Sequence, residues 1–355
     1  MNSTNDRLSF QRKVWITVSI TALMVILIWI AKVIFNVLLL LFAGSLIAIY
    51  FVGLAGIIQR KLSLKEGISL AISIIGSLLL LIGFFWLTGN SISQQISDLK
   101  ETLPSAVENV KAKLAQSGLG RRVLETATSD NVSGQASSVL QTFFKSTFGV
   151  LGDIYVVLFL GIFFTVSPKS YINGIVKMIP PSGKEKANDV ISKLGESLSR
   201  WLKGQIFAML IVFVLTAIGL VIIGVPMWLV LALIAGLLNF IPNFGPLIAM
   251  IPAVLIGFLQ GPTTALIIGG LYIAVQTLES NFITPQIQKR MLSIPPALII
   301  IAQLIMGVLT GGWGLVLATP VMVVLMVLVR ELYLVHFDKE EAEKSMETKK
   351  EAEKK

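Results

Sequence analysis

The feature that most constrains this chain is a series of long apolar runs with very few charged residues. The first run extends from Val14 to Ile58 and is interrupted by Lys32 and Asn36. About 20 consecutive apolar residues are enough for a helix to cross the hydrocarbon core of a bilayer. Over the whole chain 55% of the residues are hydrophobic and 14% are charged, whereas about a quarter of the residues in soluble domains are charged. The sequence therefore predicts an all-α polytopic membrane protein.

Composition excludes several classes of function. The chain has no cysteine and one histidine, His336, which lies beyond the last apolar run. Disulfides, thiol chemistry, histidine metal sites and Ser-His-Asp triads are therefore not expected. The sequence also contains no glycine-rich nucleotide motif and no G-x-S-x-G. We expect no enzymatic activity, no metal and no cofactor.

The positive net charge of +9 has a membrane explanation. Most of the basic residues lie beside apolar runs, which is typical of loops that face the cytoplasm. Nucleic-acid binding would need a basic face with aromatic side chains, and the sequence shows none. We therefore expect membrane lipid as a partner and no nucleic acid.

Residues 1–89 are predicted to contain the first three transmembrane helices. A basic start resembles a signal peptide, but no small-residue cleavage site follows it, so we expect the segment to be retained. We interpret the first apolar run as two helices, 14–31 and 33–58, joined by a tight turn near Lys32. A third helix is expected at 68–87.

Residues 90–140 are predicted to form a small helical extramembrane insertion on the extracytoplasmic side. Apolar residues recur there at spacings of three and four, which places them on one face of a helix. The segment 118–138 is polar and is expected to be a loop. Two interpretations stay open: a cap on the membrane surface, or an element that contacts other subunits or gates the protein. The apolar stripe consists of Ile92, Ile96, Leu99, Leu103, Val107, Val110 and Leu114.

The fourth transmembrane helix is predicted at 141–166, and a basic amphipathic segment follows at 167–204. The excess of lysine places this segment in the cytoplasm. An amphipathic helix of this kind lies on the membrane surface with its lysines near anionic headgroups. Its apolar face consists of Val190, Leu194, Leu198, Trp201 and Leu202.

The segment 205–335 has the pattern of a transport core. A fifth span at 205–223 is followed by two apolar runs, separated by a Pro/Asn/Gly break at 241–246. The first of these runs has about 15 residues, which is short of the roughly 20 needed to cross. The pattern therefore predicts a broken, re-entrant hairpin at 226–260 that enters and leaves the membrane on the same side.

A second broken hairpin is predicted at 296–330, after a full span at 263–281. Its break is the glycine-rich segment 310–314. The charged tail, 336–355, and the N-terminus are both placed in the cytoplasm, because the short basic clusters then face inward. Counted together, these elements predict about eight membrane segments.

The two hairpins share a weak internal repeat. Pro226 precedes Gly245 by 19 residues, and Pro295 precedes Gly314 by 19 residues. A span followed by a broken hairpin therefore occurs twice, in opposite orientations. Inverted repeats with broken helices are the architecture of secondary transporters. The alternative is that glycine and proline merely kink ordinary membrane helices.

Two carboxylates inside apolar segments are candidates for ion or proton coupling. A charge in the bilayer is costly, so Asp153 and Glu279 should have a partner or a role. Either could bind Na⁺ or carry a proton. Asp153 could instead pair with Lys145 near the outer interface. Glu279 could instead belong to a helix-end network with Lys289 or Arg290.

The hairpin breaks are predicted to form the substrate site. Unwound backbone exposes carbonyls and amides, which suit a neutral, polyhydroxylated or weakly anionic solute. These groups could equally satisfy one another. The predicted substrate-binding residues are Asn239, Pro242, Asn243, Gly245, Gln276, Gln303, Gly312 and Gly314.

At these residues the sequence resembles the autoinducer-2 exporter family of bacterial and archaeal membrane proteins. The order and spacing of the motifs, taken together, make the resemblance specific over about 200–330. The matching motifs are Arg200 to Gln205, Gly224-Val225-Pro226, Asn239 to Pro246, Gln276 to Asn281 with Pro285, Pro296, Gly312 to Gly314, and Ala318-Thr319-Pro320.

The resemblance implies a homo-oligomer, with a pentamer as the expected state, in the inner (cytoplasmic) membrane. It implies a secondary transporter that exports small solutes by alternating access around the two hairpins. Members are assigned to export of autoinducer-2 in quorum sensing, and others to Na⁺(Li⁺)/H⁺ antiport. A non-transporting membrane scaffold is the competing class of function.

Overall fold

The computed structural model describes residues 3–115, 152–285 and 295–334. Every regular element in these ranges is a helix, so the all-α prediction is confirmed. Five helices are long and apolar enough to cross a membrane, or up to six if one bent pair is a single span, and three shorter apolar helices accompany them. The helices are α1 (Ser3–Leu62), α2 (Glu66–Ala115), α3 (Gly152–Val166), α4 (Pro168–Lys177), α5 (Lys184–Ile223), α6 (Trp228–Leu238), α7 (Phe244–Gln260), α8 (Pro262–Leu278), α9 (Pro296–Thr310) and α10 (Gly312–Val329).

Helix α1 is continuous, so the predicted turn near Lys32 is wrong. It has 60 residues, which at 1.5 Å per residue is about 90 Å of helix. No glycine or proline occurs between Val14 and Gly44, so nothing in the backbone ends the helix at Lys32. Among the side chains that the structure describes, Phe35 is partly buried against the hydrophobic core that contains Leu46 and Leu317, and the first fully buried side chain is Leu39.

Helix α2 joins the predicted third span to the start of the predicted insertion. It continues through Thr88-Gly89-Asn90 to Ala115 without a break, so the apolar stripe is the second half of a membrane-length helix rather than a separate element. Ile92, Leu99 and Leu103 on that stripe are buried. The remaining residues of the insertion, from 116 onward, lie outside the described part of the chain.

Helices α3 and α4 meet at an angle of 86°. The bend falls at Ser167, directly before Pro168, with φ −135° and ψ 56°. A residue before proline is disfavoured in the helical region, which accounts for the break. The start of the predicted fourth span, 141–151, lies outside the described residues.

Helix α5 contains both the predicted amphipathic segment and the predicted fifth span, which were expected to be separate. It runs for 40 residues and ends at Gly224, whose φ of 76° is left-handed. Left-handed glycine is a common helix terminator because it has no Cβ to clash. Leu198, Trp201 and Leu202 of the predicted apolar face are buried inside the protein. The prediction that this face lies on the membrane surface is therefore wrong for these residues.

The pair α6 and α7, called hairpin one, is separated by the non-helical segment 239–243. Gly245 in the first turn of α7 lies so close to the Leu238 carbonyl of α6 that a Cβ would overlap it. Only glycine therefore fits at this position between α6 and α7. The predicted break at 241–246 overlaps the observed break.

The pair α9 and α10, called hairpin two, breaks at Gly311 with φ 68° and ψ −137°. Gly314 in the first turn of α10 lies against the Met306 carbonyl of α9, again with no room for a Cβ. Both hairpins thus place a glycine at the start of the second helix against a carbonyl of the first.

The helices pack around two hydrophobic cores. The hairpin-one core joins α6 and α7 to α8, to the second half of α2 and to the C-terminal part of α5, through residues such as Leu99, Leu220 and Ile268. The hairpin-two core joins α9 and α10 to α1, α3 and the middle of α5, through residues such as Leu46 and Leu317. Helix α5 is therefore shared, and helices α1 and α2 belong to different cores.

An ion-pair network fixes the end of α10 to the start of α5. Glu331, in a π-helical turn after α10, accepts a hydrogen bond from Lys193 Nζ at 2.6 Å and lies 3.5 Å from Lys186 Nζ. Lys193 also lies 3.0 Å from Asp189. Glu331 is nearly buried, so truncating it should cost more than breaking an exposed surface pair.

Close packing at Gly314 generates a first prediction. Gly314→Ala forces a Cβ into the Met306 carbonyl, and overpacking of this kind costs about 1–3 kcal/mol. We expect a lower midpoint in the thermal unfolding of the detergent-solubilised protein. Gly312→Ala is the matched control, because its Cβ meets nothing within 4 Å. Equal midpoints for the two variants would contradict the close approach of α9 and α10.

Candidate functional site

The break in hairpin one exposes backbone groups that the flanking helices no longer satisfy. Unpaired carbonyls and amides are costly in an apolar surrounding, and in a bilayer they must find partners within the protein. Side chains from two other helices supply them. Gln205 Nε2 of α5 donates to the Asn239 carbonyl at 2.7 Å. Gln303 Nε2 of α9 donates to the Pro242 carbonyl at 2.8 Å.

The other end of α6 is satisfied by glutamine as well. The Val230 N–H, in the first turn of α6, donates to Gln95 Oε1 of α2 at 3.1 Å. Gln260 Nε2, at the end of α7, donates to the Gly224 carbonyl at 3.2 Å. Four glutamines from four helices therefore bond to backbone groups at or beside the two ends of α6.

The segment before α7 contains a strained turn. Asn243 has φ 69° and ψ −56°, and the Phe244 N–H donates to the Pro242 carbonyl at 2.9 Å. An i to i+2 hydrogen bond with these angles is the positive-φ form of the γ-turn, which is rare and strained. Strained backbone persists where the surroundings hold it and is common at functional sites. This turn carries Asn243.

Asn243 lies at a groove between α7 and α8 with a volume of 420 Å³. Amide and hydroxyl groups meet apolar side chains there, and no charged residue occurs among the described residues of its wall. The wall consists of Asn243, Pro246, Leu247, Met250, Tyr272, Ile273, Gln276, Thr277, Ser280 and Asn281.

The polar end of α8 forms one wall of the groove. Helix α8 passes into a π-helical turn at Glu279–Ile283, an element that is frequent at functional sites. Gln276 Nε2 donates to Glu279 Oε2 at 3.1 Å and to Ser280 Oγ at 3.2 Å. Thr284 Oγ1 donates to Glu279 Oε1 at 2.7 Å. Glu279 is thus held by neutral donors behind the groove, and its predicted partners Lys289 and Arg290 lie outside the described residues.

Asp153 lies on the other hairpin. Trp313 Nε1, in the first turn of α10, donates to Asp153 Oδ2 at 2.6 Å. The bond ties α3 to the break of hairpin two. Lys145, the alternative partner considered for Asp153, lies outside the described residues.

The structure divides the predicted site residues between the two hairpins. Asn239, Pro242, Gly245 and Gln303 surround the break of hairpin one, and Asn243 and Gln276 line the groove. Asp153, Gly312 and Gly314 lie at the break of hairpin two. Gln303, which contacts hairpin one, lies eight residues before Gly311 on α9. The break of hairpin two is therefore about 12 Å farther along that helix.

Sequence reasoning missed three of the four glutamines and the aromatic wall of the groove. Gln95 and Gln260 were not singled out, and Gln205 was named only as the end of a matching motif. The sequence feature that could have identified them is a polar side chain in or beside an apolar helix, because such a side chain destabilises the fold unless it has a hydrogen-bond partner. Tyr272 was also missed; it lines the groove and its hydroxyl donates to the Leu231 carbonyl at 3.4 Å.

Comparison with known proteins finds matches over most of the chain. A family model described as AI-2E family transporter matches residues 18–334. YrrI of Bacillus subtilis, whose name describes a transport protein, is 32% identical over 45% of this chain and 44% of its own length. YueF of the same organism, similarly named, is 26% identical over 66% of this chain and 68% of its own. PerM of Escherichia coli, named as a permease, is 24% identical over 64% of each chain. The matched region thus spans less than half of the first of these relatives.

The Trp313–Asp153 bond generates a second prediction. Asp153→Leu leaves the indole N–H without its acceptor. Because the bond is only partly buried, we expect a loss of stability near the lower end of the about 1–3 kcal/mol that applies to buried groups. Asp153→Asn keeps an acceptor oxygen, so we expect most of the thermal stability to be retained. Trp313→Phe should match Asp153→Leu, and combining the two should add little, because both remove one bond. A loss in Asp153→Asn as large as that in Asp153→Leu would show that the charge, rather than the bond, stabilises the fold.

Proposed function

The chain belongs to the AI-2E transporter family, and we propose that it exports a small, uncharged, hydroxyl-bearing solute across the cytoplasmic membrane. The observation that carries the proposal is the groove at the break of hairpin one. Its 420 Å³ falls within the range of about 300–1,000 Å³ typical of small-molecule sites.

The chemistry of the groove supports a neutral substrate. The side-chain donors of Gln276, Thr277 and Asn281 already bond within the end of α8. The wall therefore offers a solute the Asn243 amide, which can donate and accept, together with the acceptor oxygens of the α8 amides and hydroxyls. Groups that both donate and accept suit the vicinal hydroxyls of a sugar-like molecule. An ion would lose its hydration there without a charged partner in the wall, which is costly. The diol-rich, uncharged skeleton of autoinducer-2 has the matching chemistry.

The two cores suggest how access could alternate. We propose that the hairpin-one core and the hairpin-two core move relative to each other, with α5 as the shared element. Helix α1 is buried against hairpin two and the second half of α2 against hairpin one. The first half of α2 also contacts α1, where Ser73 Oγ donates to the Phe51 carbonyl at 2.8 Å. The apolar outer faces of α1 and α2 would then meet lipid or, in the homo-oligomer that we propose, other subunits.

Membrane placement follows from the same proposal. We place both termini in the cytoplasm, where the basic clusters beside the spans face anionic lipid. The two hairpins would then enter the membrane from opposite sides, in the manner of inverted-repeat transporters.

Cation–proton antiport is the second candidate, and two carboxylates favour it. Asp153 accepts a hydrogen bond from Trp313, and Glu279 accepts bonds beside the groove. Either could exchange a proton for Na⁺ or Li⁺. A non-transporting scaffold is the third candidate, and it predicts no flux of any solute.

Transport by the groove generates a third prediction. Gln276→Leu removes an amide from the wall, and we expect the KM for autoinducer-2 export to rise about tenfold, the cost of about one hydrogen bond to a ligand. The assay is counterflow of labelled solute in proteoliposomes. Gln94→Leu is the matched control, because Gln94 is exposed on α2 and does not line the groove. Equal KM values for the two variants would remove the groove from the transport path.

A fourth prediction separates export from antiport. We expect no dissipation of an imposed pH gradient by Na⁺ or Li⁺ in proteoliposomes that contain the wild-type protein, because neutral-solute export needs no cation exchange. Cation-dependent proton movement that is lost in Asp153→Asn or in Glu279→Gln would establish antiport and identify its carboxylate. Absence of both proton movement and solute flux would favour the scaffold.

A further inference from the structure

We propose that Gln303 is a positioning residue of the transport site, through which hairpin two controls the presentation of Asn243 to the groove. The proposal rests on the proposed function of the groove. Gln303 itself is 0% exposed and does not line the groove. Its effect on a solute is therefore exerted through the turn that it contacts.

The Pro242 carbonyl is the point of contact. It accepts the Phe244 N–H that closes the γ-turn, at 2.9 Å, and also the Gln303 side-chain amide, at 2.8 Å. One carbonyl thus receives both the bond that defines the strained turn and the bond that comes from hairpin two. A carbonyl oxygen has two lone pairs, so both bonds can form at once. The bond from Gln303 holds the Pro242 carbonyl in the orientation in which it accepts the Phe244 N–H.

The turn needs such support because Asn243 has a φ of 69° and is not glycine. Without a constraint, a non-glycine residue returns to negative φ, where the steric clash is relieved. That rotation would move the Asn243 side chain away from the position in which it lines the groove. The Gln303 bond opposes the rotation by holding the Pro242 carbonyl.

A second set of contacts that holds the break of hairpin one comes from α5. Gln205 holds the Asn239 carbonyl, and the rings of Trp201 and Phe240 pack edge to face at 5.5 Å. Both contacts come from α5, which is shared by the two cores. Trp201 and Phe240 also belong to the hairpin-two core. The Gln303 bond differs because its donor lies on hairpin two itself, so relative motion of the hairpins acts on this bond directly.

Position 303 requires a side chain with the length of glutamine and a hydrogen-bond donor at its end. Methionine has a similar length and shape but no donor, so Gln303→Met removes the bond with little change in packing. A glutamine placed with its Nε2 toward a carbonyl also has its orientation fixed, since its Oε1 would repel the same carbonyl. Gln303→Met is therefore the informative variant.

The first part of the experiment reports the turn directly and needs no transport. Because the chain has no cysteine, Thr277→Cys places a single thiol in the groove wall opposite Asn243. We expect Gln303→Met to increase its labelling rate by a small maleimide about threefold or more, because the turn that borders the groove loosens. Gln94→Met is the matched control and should leave the rate unchanged. Equal rates in all three backgrounds would overturn the proposal.

The second part is a double-mutant cycle on the KM for autoinducer-2 in proteoliposomes. We expect Gln303→Met and Asn243→Ala each to raise KM about tenfold and the double variant to raise it no further, since one residue acts through the other. A product of the two effects, about a hundredfold, would overturn the proposal.

The two parts of the experiment distinguish a failure of the proposed transport function from a failure of the positioning role of Gln303. If no solute is transported but Gln303→Met still changes the labelling rate, the proposed function fails and the control of the turn by hairpin two stands. If transport occurs and the labelling rate is unchanged, the function stands and Gln303 has no positioning role. Size-exclusion profiles of the variants in detergent verify that each is folded.

Discussion

The need to satisfy backbone hydrogen bonds in an apolar surrounding is the constraint on which this structure depends. A continuous helix meets the need by itself, but a broken one cannot. The break in hairpin one leaves backbone carbonyls without helical partners, and glutamines from neighbouring helices donate to them. Gln205 donates to the Asn239 carbonyl and Gln303 to the Pro242 carbonyl. Each of these glutamines must come from a helix close enough to the break for its side chain to reach a carbonyl.

The same constraint connects architecture to function. Once the break is supported, its residues can adopt a backbone that a regular helix excludes, and the γ-turn at Asn243 is the result. The turn directs a polar side chain into a groove whose opposite wall is the hydrogen-bonded end of α8, around Gln276. In the function that we propose, this groove on the exposed faces of α7 and α8 is where a small hydroxylated solute exchanges water for protein hydrogen bonds.

Local sequence signals predicted the helix breaks better than the continuous helices. The Pro/Asn/Gly segment of hairpin one and the glycines of hairpin two mark breaks because no other residues tolerate those angles or that closeness, as Gly245 and Gly314 show. The turn near Lys32 was wrong because a charge does not end a helix. The separation of 167–204 from 205–223 was wrong because a change from amphipathic to apolar pattern does not end one either. The amino-acid composition changes along α2 and α5, but each helix continues without a break.

The sequence by itself determined that the chain is helical, that it has membrane-length apolar segments and that helix breaks follow α6 and α9. These features follow from local hydropathy and from the special backbone of glycine and proline. Only the tertiary structure decided which partners meet. The Gln303–Pro242 bond joins residues 61 positions apart, the Val230–Gln95 bond 135 and the Trp313–Asp153 bond 160. Contacts at such separations depend on how whole helices pack, and no local pattern records that packing.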